Sequence, residues 1–550
     1  MEALPRPASP FPRPDNGRRG PFGQGQDFAP RARAQGRAWP VNAGTAVRRK
    51  RQKAEFCRQI GYIVPRPKAW SPLFPRTAPE AQGAGPRARG EAKVSACTTL
   101  KVTWDGLTVG WLTQPARTTD MSFEYDPGWL GGGHPAISLS LPLSGQRFDA
   151  RTSKNYFGNF MPEGEALSWI AAWKRVSGAD PFDFLAKFGT EVAGALSIFP
   201  IDDPPRPMSA HPIDDGSYRD VTDIVIKSLH SSKKENFNLI VATNSKISLA
   251  GAQNKLPIYW HDNKILIPEN NSDAPTTHII KPESTRFKYL QFNESFCMDL
   301  ALAIGLPVPE SEIIYLDKIP IFIVKRYDRI YDSHKKLQRI HQEDFCQAMN
   351  IDKAYKYQEN DGPGISDCTI FLLNTVKISQ FEHYNFIKCI IYNYLIGNCD
   401  AHAKNFSIIH NIDFNNLSKS NVTYSLAPFY DLVCTIYYPM LSTTLAMFLG
   451  YNKNHEILSI DSLNKLKCDF NVDINIFLNL IYNLLDEINI KLSYTYEKHI
   501  SLHRFTHFYK KLYTIITSNS RNLKKQLDGL SNRSRLAGPG AATGHGQRRD

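Results

Sequence analysis

The residues best equipped for chemistry lie in two short stretches of the C-terminal half. Asp400 and Asn405 stand five apart in Asp400-Ala401-His402-Ala403-Lys404-Asn405, and Asp431 ends Pro428-Phe429-Tyr430-Asp431. In phosphoryl transfer, an Asp at the first position accepts the proton of the attacking hydroxyl, and an Asn five residues on holds a magnesium ion. Asp431 would supply a second hard oxygen ligand for that ion. An isolated Asp–Asn pair at this spacing also arises in ordinary polar loops, so the reading depends on its neighbours. The reaction needs positioning and charge neutralisation more than covalent help. Lys281, on an apolar strand-like run, could bridge the α- and β-phosphates, and Glu294, on the next helix-like run, could hold it. Either residue alone reads as an ordinary surface charge. The backbone N–H groups of Ala250-Gly251-Ala252-Gln253-Asn254, with Lys255 after them, could cradle phosphate. This loop is neither a G-x-G-x-x-G nor a Walker motif. His402 and Lys404 share the loop of Asp400 and could touch phosphate, and Tyr430 adjoins Asp431. A zinc site at His402 fails for want of His or Cys partners at ligand spacing.

These residues need elements to hold them. A buried helix is expected over residues 386–397, leading directly into Asp400. Strands are expected at 256–260, 277–281 and 319–327, with a helix over 293–304 ended by Gly305. The order is small-residue loop, strand with Lys, helix with Glu, then a strand leading onward. Beyond Tyr327 the pattern turns helical, with Glu343 to Gln347 read on one helix and Phe371-Leu372-Leu373 on another. Residues 406–410 and 422–426 read as a strand pair between the two proposed metal ligands, and helices run on to about Leu527. Ahead of this lies a compact α+β module. Residues 100–104 and 108–112 flank Asp105-Gly106, a hairpin signal. Residues 122–125, 136–141 and 192–199 alternate like strands. Short helices are expected from Asn155 to Phe188, with Trp169, Ile170, Trp173 and Phe184 buried.

The 550 residues carry a net charge of +13, but unevenly. Residues 1–98 hold 19 Lys or Arg against 6 Asp or Glu, and residues 531–550 hold 4 against 1. Residues 99–530 therefore hold 43 against 46, so the body is close to neutral and the basic balance says little about what it binds. Residues 1–98 and 531–550, rich in Pro, Gly, Ala and Arg, cannot bury enough surface to fold and are expected to be disordered appendages. The nine Cys are scattered, with no C-x-x-C, and read as reduced thiols. No apolar run reaches the length of a membrane span, and the N-terminus lacks a secretory core. The expected location is the cytoplasm.

Taken together the motifs resemble the HipA-type serine/threonine kinase toxins of bacterial toxin–antitoxin systems. The matching residues are Ile247-Ser248-Leu249-Ala250-Gly251-Ala252-Gln253, Thr276-Thr277-His278-Ile279-Ile280-Lys281, Arg326-Tyr327-Asp328-Arg329 and Gln342-Glu343-Asp344. They continue with Tyr357, Asp361-Gly362-Pro363-Gly364, Leu395-Ile396-Gly397 through Asp400 to Phe406, and Pro428 to Asp431. The resemblance implies an α+β, two-lobed protein-kinase-like fold. The implied parts are a small N-terminal α+β subdomain (99–200), a kinase N-lobe (201–327) and a mainly helical C-lobe (328–530). It implies an enzyme using ATP and Mg²⁺, with Asp400 as base, Asn405 and Asp431 on the metal, and Lys281 on ATP. Lys325, Arg326 and Tyr327 would line the adenine site. Ser248 matches a serine that family members autophosphorylate, silencing the kinase. The implied target is an aminoacyl-tRNA synthetase, typically the glutamyl enzyme, whose phosphorylation halts translation and favours dormancy. The implied partner is a HipB-like helix-turn-helix antitoxin. The stretch after Leu445-Ala446-Met447 carries a single Lys, Lys453, where family members can carry a Lys-rich DNA-binding patch. Operator DNA is therefore expected to be met mainly through the antitoxin. Two other readings stay open here: a small-molecule kinase of the aminoglycoside or choline type, and a DNA-binding regulator acting through the basic N-terminus.

Overall fold

The structure is a computed structural model that describes residues 98–203, 216–231, 238–247, 249–269, 274–332, 336–412 and 422–536. Ser248, residues 1–97 and residues 537–550 lie outside the described residues.

The first sheet opens with β1 (Thr99–Trp104) and β2 (Leu107–Thr113). The turn residues Asp105 and Gly106 both take positive φ, 46° and 80°, which matches the twist of the flanking strands. With β3 (Ser122–Tyr125) and β4 (Leu196–Pro200) the antiparallel order is β3-β2-β1-β4. Leu100, Val102, Val109 and Leu112 are fully buried on it, against Tyr156 and Phe157 of the helix Ala150–Phe157. Residues 136–141 depart from expectation: they hold only an isolated bridge between Ser138 and Leu141. Side chains replace a ladder there. The Tyr125 hydroxyl accepts from Ile137 N at 3.0 Å and donates to Leu141 O at 2.6 Å, and Leu139 N donates to Glu343 Oε1 at 3.0 Å.

The second sheet is antiparallel and six-stranded. Its strands are β5 (Tyr218–Asp220), β6 (Leu256–His261), β7 (Lys264–Pro268), β8 (His278–Lys281), β9 (Ser311–Leu316) and β10 (Ile319–Lys325), in the order β5-β7-β6-β8-β10-β9. Its apolar face (Leu256, Ile258, Ile280, Ile321, Ile323) packs on Ile170, Phe184 and Phe188 of the helices Gly164–Lys174 and Pro181–Phe188. Those helices belong to the first module in sequence, so the two sheets share a helical layer. Trp169 and Trp173, expected to be buried, are only half-buried. The helix Leu290–Ala303 sits beside β10, with Ile304 as its cap and Gly305 just beyond at φ 77°.

After β11 (Arg329–Tyr331) and β12 (Leu337–Arg339), the chain forms β13 (Gln342–Asp344) and the short helix Phe345–Ala348. Glu343 and Asp344 thus lie on a strand and not on the expected helix. Asp344 is the N-cap: its carboxylate accepts from Gln347 N while the Gln347 side chain accepts from Asp344 N, which forces extended backbone before the turn. The helix Gln380–Ile396 starts with a Ser379–Glu382 capping box and stops at Gly397, φ 75°. β14 (Ser407–Asn411) and β15 (Thr423–Leu426) pair antiparallel beside β13. The helices Ile474–His503 and Thr506–Leu536 close the large helical core. The last helix overruns the expected tail boundary at 531 because Leu527 and Leu530 are still buried against that core. No helix among the described residues is long and apolar enough to cross a membrane.

Candidate active site

A cavity of about 1250 Å³ is bordered by the 249–255 loop, the end of β8, the helix Leu290–Ala303, the catalytic-type loop and Asp431. β8 lies between β6 and β10, and its last residue, Lys281, is set opposite Phe322 of β10, one residue beyond the pairing with β6. The Lys281 ammonium sits 2.7 Å from Glu294 Oε1 and 2.7 Å from Asp431 Oδ1. Burial alone would discharge it, but the two carboxylates hold its pKa above the ordinary lysine range. Burial would likewise raise Asp431, yet Lys281 and Lys255 draw its carboxyl down to about 2. Asp431 takes φ 54°, a conformation unusual for a residue with a Cβ, and Asn398 Nδ2 holds its carbonyl at 3.2 Å.

Asp400 follows the Gly397 cap by three residues. Its side chain is 55% exposed, but to the cavity, and crowding by the surrounding protein pushes its carboxyl up. Tyr357 opposes that shift by donating its hydroxyl to Asp400 Oδ1 at 2.7 Å. Asn405 Nδ2 donates to Asp400 O at 2.8 Å, which orients the amide and leaves its oxygen for another partner. His402 lies with Nε2 4.0 Å from Asp400 Oδ1. Burial, with Lys356 and Lys404 nearby, keeps the imidazole neutral, so this contact is no ion pair. The His402 Nδ1 atom is buried without a hydrogen-bond partner.

One expected ligand contact needs correction. Lys404 Nζ is engaged by Asp344 Oδ2 at 2.8 Å and by Asn159 Oδ1 and O at 2.7 and 3.0 Å. Three acceptors saturate an ammonium, so Lys404 braces the loop and has no donor left for phosphate. The Arg326 guanidinium is likewise buried, bound to Glu191 Oε1 at 3.0 Å, Asp328 Oδ2 at 2.8 Å and Thr276 Oγ1 at 2.9 Å. It contributes position to the cavity wall, not a free charge. The other expected residues do border the cavity. Lys255 hydrogen-bonds to Ala250 O across the loop, and burial lowers its pKa to about 8. Gly251, Ala252, Gln253 and Asn254 face the same space. Asn254 also ties the loop to the helix Leu239–Thr243 by accepting from Leu239 N at 3.0 Å. Lys325 is exposed and pairs with Glu310 at 3.1 Å. Tyr327 and Tyr430 stack with ring centroids 6.0 Å apart. Tyr430 is tied to Ser407 Oγ at 2.7 Å, and Tyr327 hydrogen-bonds to Gln342.

Asn405 and Asp431 suit a small, hard dication. One carboxylate is ionised, one amide is oriented, and both border a cavity open enough for phosphate oxygens and water to complete the shell. Sequence reading gave no role to Tyr357, Lys356 or Glu163. Tyr357 stood within a quoted motif, but no local pattern joins Glu163 to residues almost two hundred positions away.

Two family models match, the HipA N-terminal domain over residues 100–199 and the HipA-like C-terminal domain over residues 247–488. A Sinorhizobium fredii protein named "Putative kinase Y4mE" is 36% identical over 352 residues, which span 64% of this chain and 80% of that protein. The chain belongs to the HipA family. The serine/threonine-protein kinase toxin HipA of Shewanella oneidensis is 26% identical over 364 residues, covering 64% of this chain and 78% of the toxin. The S. oneidensis HipA structure solved with HipB and operator DNA superposes with a TM-score of 0.64 at 20% identity. It covers 79% of this chain and 99% of that one, a likeness of fold. The HipA family thus supplies the α+β kinase-type architecture, and its named members here are kinases.

Proposed function

We propose that this HipA-family chain is an ATP- and Mg²⁺-dependent protein serine/threonine kinase that acts as the toxin of a toxin–antitoxin pair. The observation that carries it is Lys281, buried 2.7 Å from both Glu294 and Asp431, on the cavity that also holds Asp400 and Asn405. When bound, the nucleotide and its dication supply the γ-phosphoryl group and neutralise its charge. Lys281 would hold the α- and β-phosphates, and Glu294 would hold Lys281. Asp400 would take the proton of the acceptor hydroxyl, its free oxygen aimed by the Tyr357 bond. Asn405 and Asp431 would hold the metal, the 249–255 loop would cradle phosphate, and Lys325 to Tyr327 with Tyr430 would flank the base.

On this reading residues 99–200, 201–327 and 328–530 are the subdomain, N-lobe and C-lobe. The acceptor is an aminoacyl-tRNA synthetase serine, with glutamyl-tRNA synthetase the first candidate, and Ser248 is a self-labelling site that switches the enzyme off. The partner is a HipB-like antitoxin through which operator DNA is met, and the setting is the cytoplasm. Support for the partner comes from the S. oneidensis relative, solved with HipB and its operator. Support for the acceptor comes from the family resemblance of the motifs. The test is radiolabelled ATP with a panel of synthetases. Wild type should label one synthetase and itself, Ser248→Ala should lose only self-labelling, and Asp400→Gln should lose both. Turnover on a sugar or amino alcohol with no labelled protein would overturn the proposal.

A further inference from the structure

A five-residue stretch of the first module, residues 159–163, touches both sides of the cavity. At one end Asn159 accepts two hydrogen bonds from Lys404, inside the loop that carries Asp400 and Asn405. At the other end Pro162 bridges Gly251 in parallel, and Glu163 N donates to Gly251 O at 3.0 Å. Between them Phe160 and Met161 are 4% and 1% exposed, so the stretch cannot lengthen or pivot freely. The Glu163 carboxylate then ion-pairs with Lys356, both side chains being less than a fifth exposed. Lys356 lies 5.2 Å over the ring of its neighbour Tyr357, and its carbonyl accepts from Ala403 N at 3.4 Å. Tyr357 donates to Asp400. A continuous set of contacts therefore runs from the phosphate-side loop, through Glu163, to the proposed base. An ion pair this shielded keeps much more of its strength than a surface pair.

We propose that residues 159–163 form a clasp that sets the separation of the 249–255 and 400–405 loops, with Glu163 a positioning residue for Asp400 through Lys356 and Tyr357. The role in transfer rests on the kinase reading; the clasp itself does not. Phosphoryl transfer tolerates little misplacement, a shift of about 1 Å costing about a hundredfold. The first module would then be part of the catalytic apparatus and not an appendage to it.

The test is Glu163→Gln in the full chain, which keeps the shape and removes the charge. Backbone hydrogen exchange should quicken in both loops together, by about tenfold, while exchange in the helical core stays as in wild type. In ATP-dependent transfer, kcat should fall about ten- to a hundredfold with KM for ATP within about threefold. Glu163→Asp should restore most of the lost kcat. Tyr357→Phe added to Glu163→Gln should cost little beyond the worse single change. Exchange that quickens in one loop only, unchanged kcat, or fully additive losses would overturn the clasp. A wild-type chain with no transfer activity would overturn the kinase reading instead, and the exchange comparison would still decide the clasp. If Glu163→Gln does not fold, Lys356→Met carries the same measurements.

Discussion

Lys281 has the most demanding environment of any single residue in the site, an ammonium buried between two carboxylates. Removing it leaves two acids facing each other with only Lys255 as a nearby cation. Lys281→Met should lower unfolding free energy by about 3–5 kcal/mol, read by urea titration. It should also cut kcat/KM for ATP turnover by at least about a hundredfold. Unchanged turnover would show that the ammonium has no part in binding phosphate. This residue was legible in the sequence because its strand, and the helix carrying Glu294, are local patterns that follow one another directly. Lys404 was misread for the opposite reason. Its acceptors, Asn159 and Asp344, come from distant segments, and nothing near the cation announces that it is already saturated.

Among the elements, the helix Gln380–Ile396 aims the catalytic-type loop. Gly397 ends it in the left-handed region at φ 75°, and a Cβ there would run into Ile436. Gly397→Ala should therefore cost about 1–3 kcal/mol and displace Asp400, lowering kcat more than nucleotide affinity. Calorimetry together with nucleotide titration would separate the two effects, and a fully stable, fully active variant would contradict this view of the cap. The helix and its stop were readable because a buried apolar run followed by glycine is a local signal. Residues 136–141 and 343–347 were not readable, because long-range partners decide their form: Glu343 takes up backbone and hydroxyl donors near residue 138, and β13 needs β14 beside it.

Across the whole molecule, buried charge ties the first module to the rest. Glu191 meets Arg326 at 3.0 Å and Arg329 at 2.6 Å, all three buried, and Glu191→Ala should destabilise by about 3–5 kcal/mol in urea by leaving the two buried cations to share one carboxylate, Asp328. A second buried cluster joins His341 and His410 to Glu343, with His341 Nε2 donating to Ile137 O at 2.7 Å and His410 Nε2 2.9 Å from Glu343. Burial lowers both imidazoles from 6.5 to about 3 and raises the carboxyl from 4.5 to about 7. The histidine contributions are present above pH 6.5 and are lost on acidification. The Glu343 contribution is present below pH 4.5 and is lost as pH rises through 7. Between these limits two histidines oppose one acid, so the cluster's net stability falls as pH drops from 6.5 to 4.5. Glu343→Gln should steepen that fall by about 1.4 kcal/mol per pH unit, measured as unfolding free energy against pH, and an unchanged slope would count against the cluster's titration. The sequence could show that the histidines exist, but not that they share one dry pocket between modules. The central claim is that Asp400 serves as the base of a phosphoryl transfer, and single-turnover labelling from radiolabelled ATP with Asp400→Asn tests it most directly. The account predicts transfer slowed by about 10²–10⁴-fold with nucleotide affinity held within about threefold; transfer at the wild-type rate would contradict it.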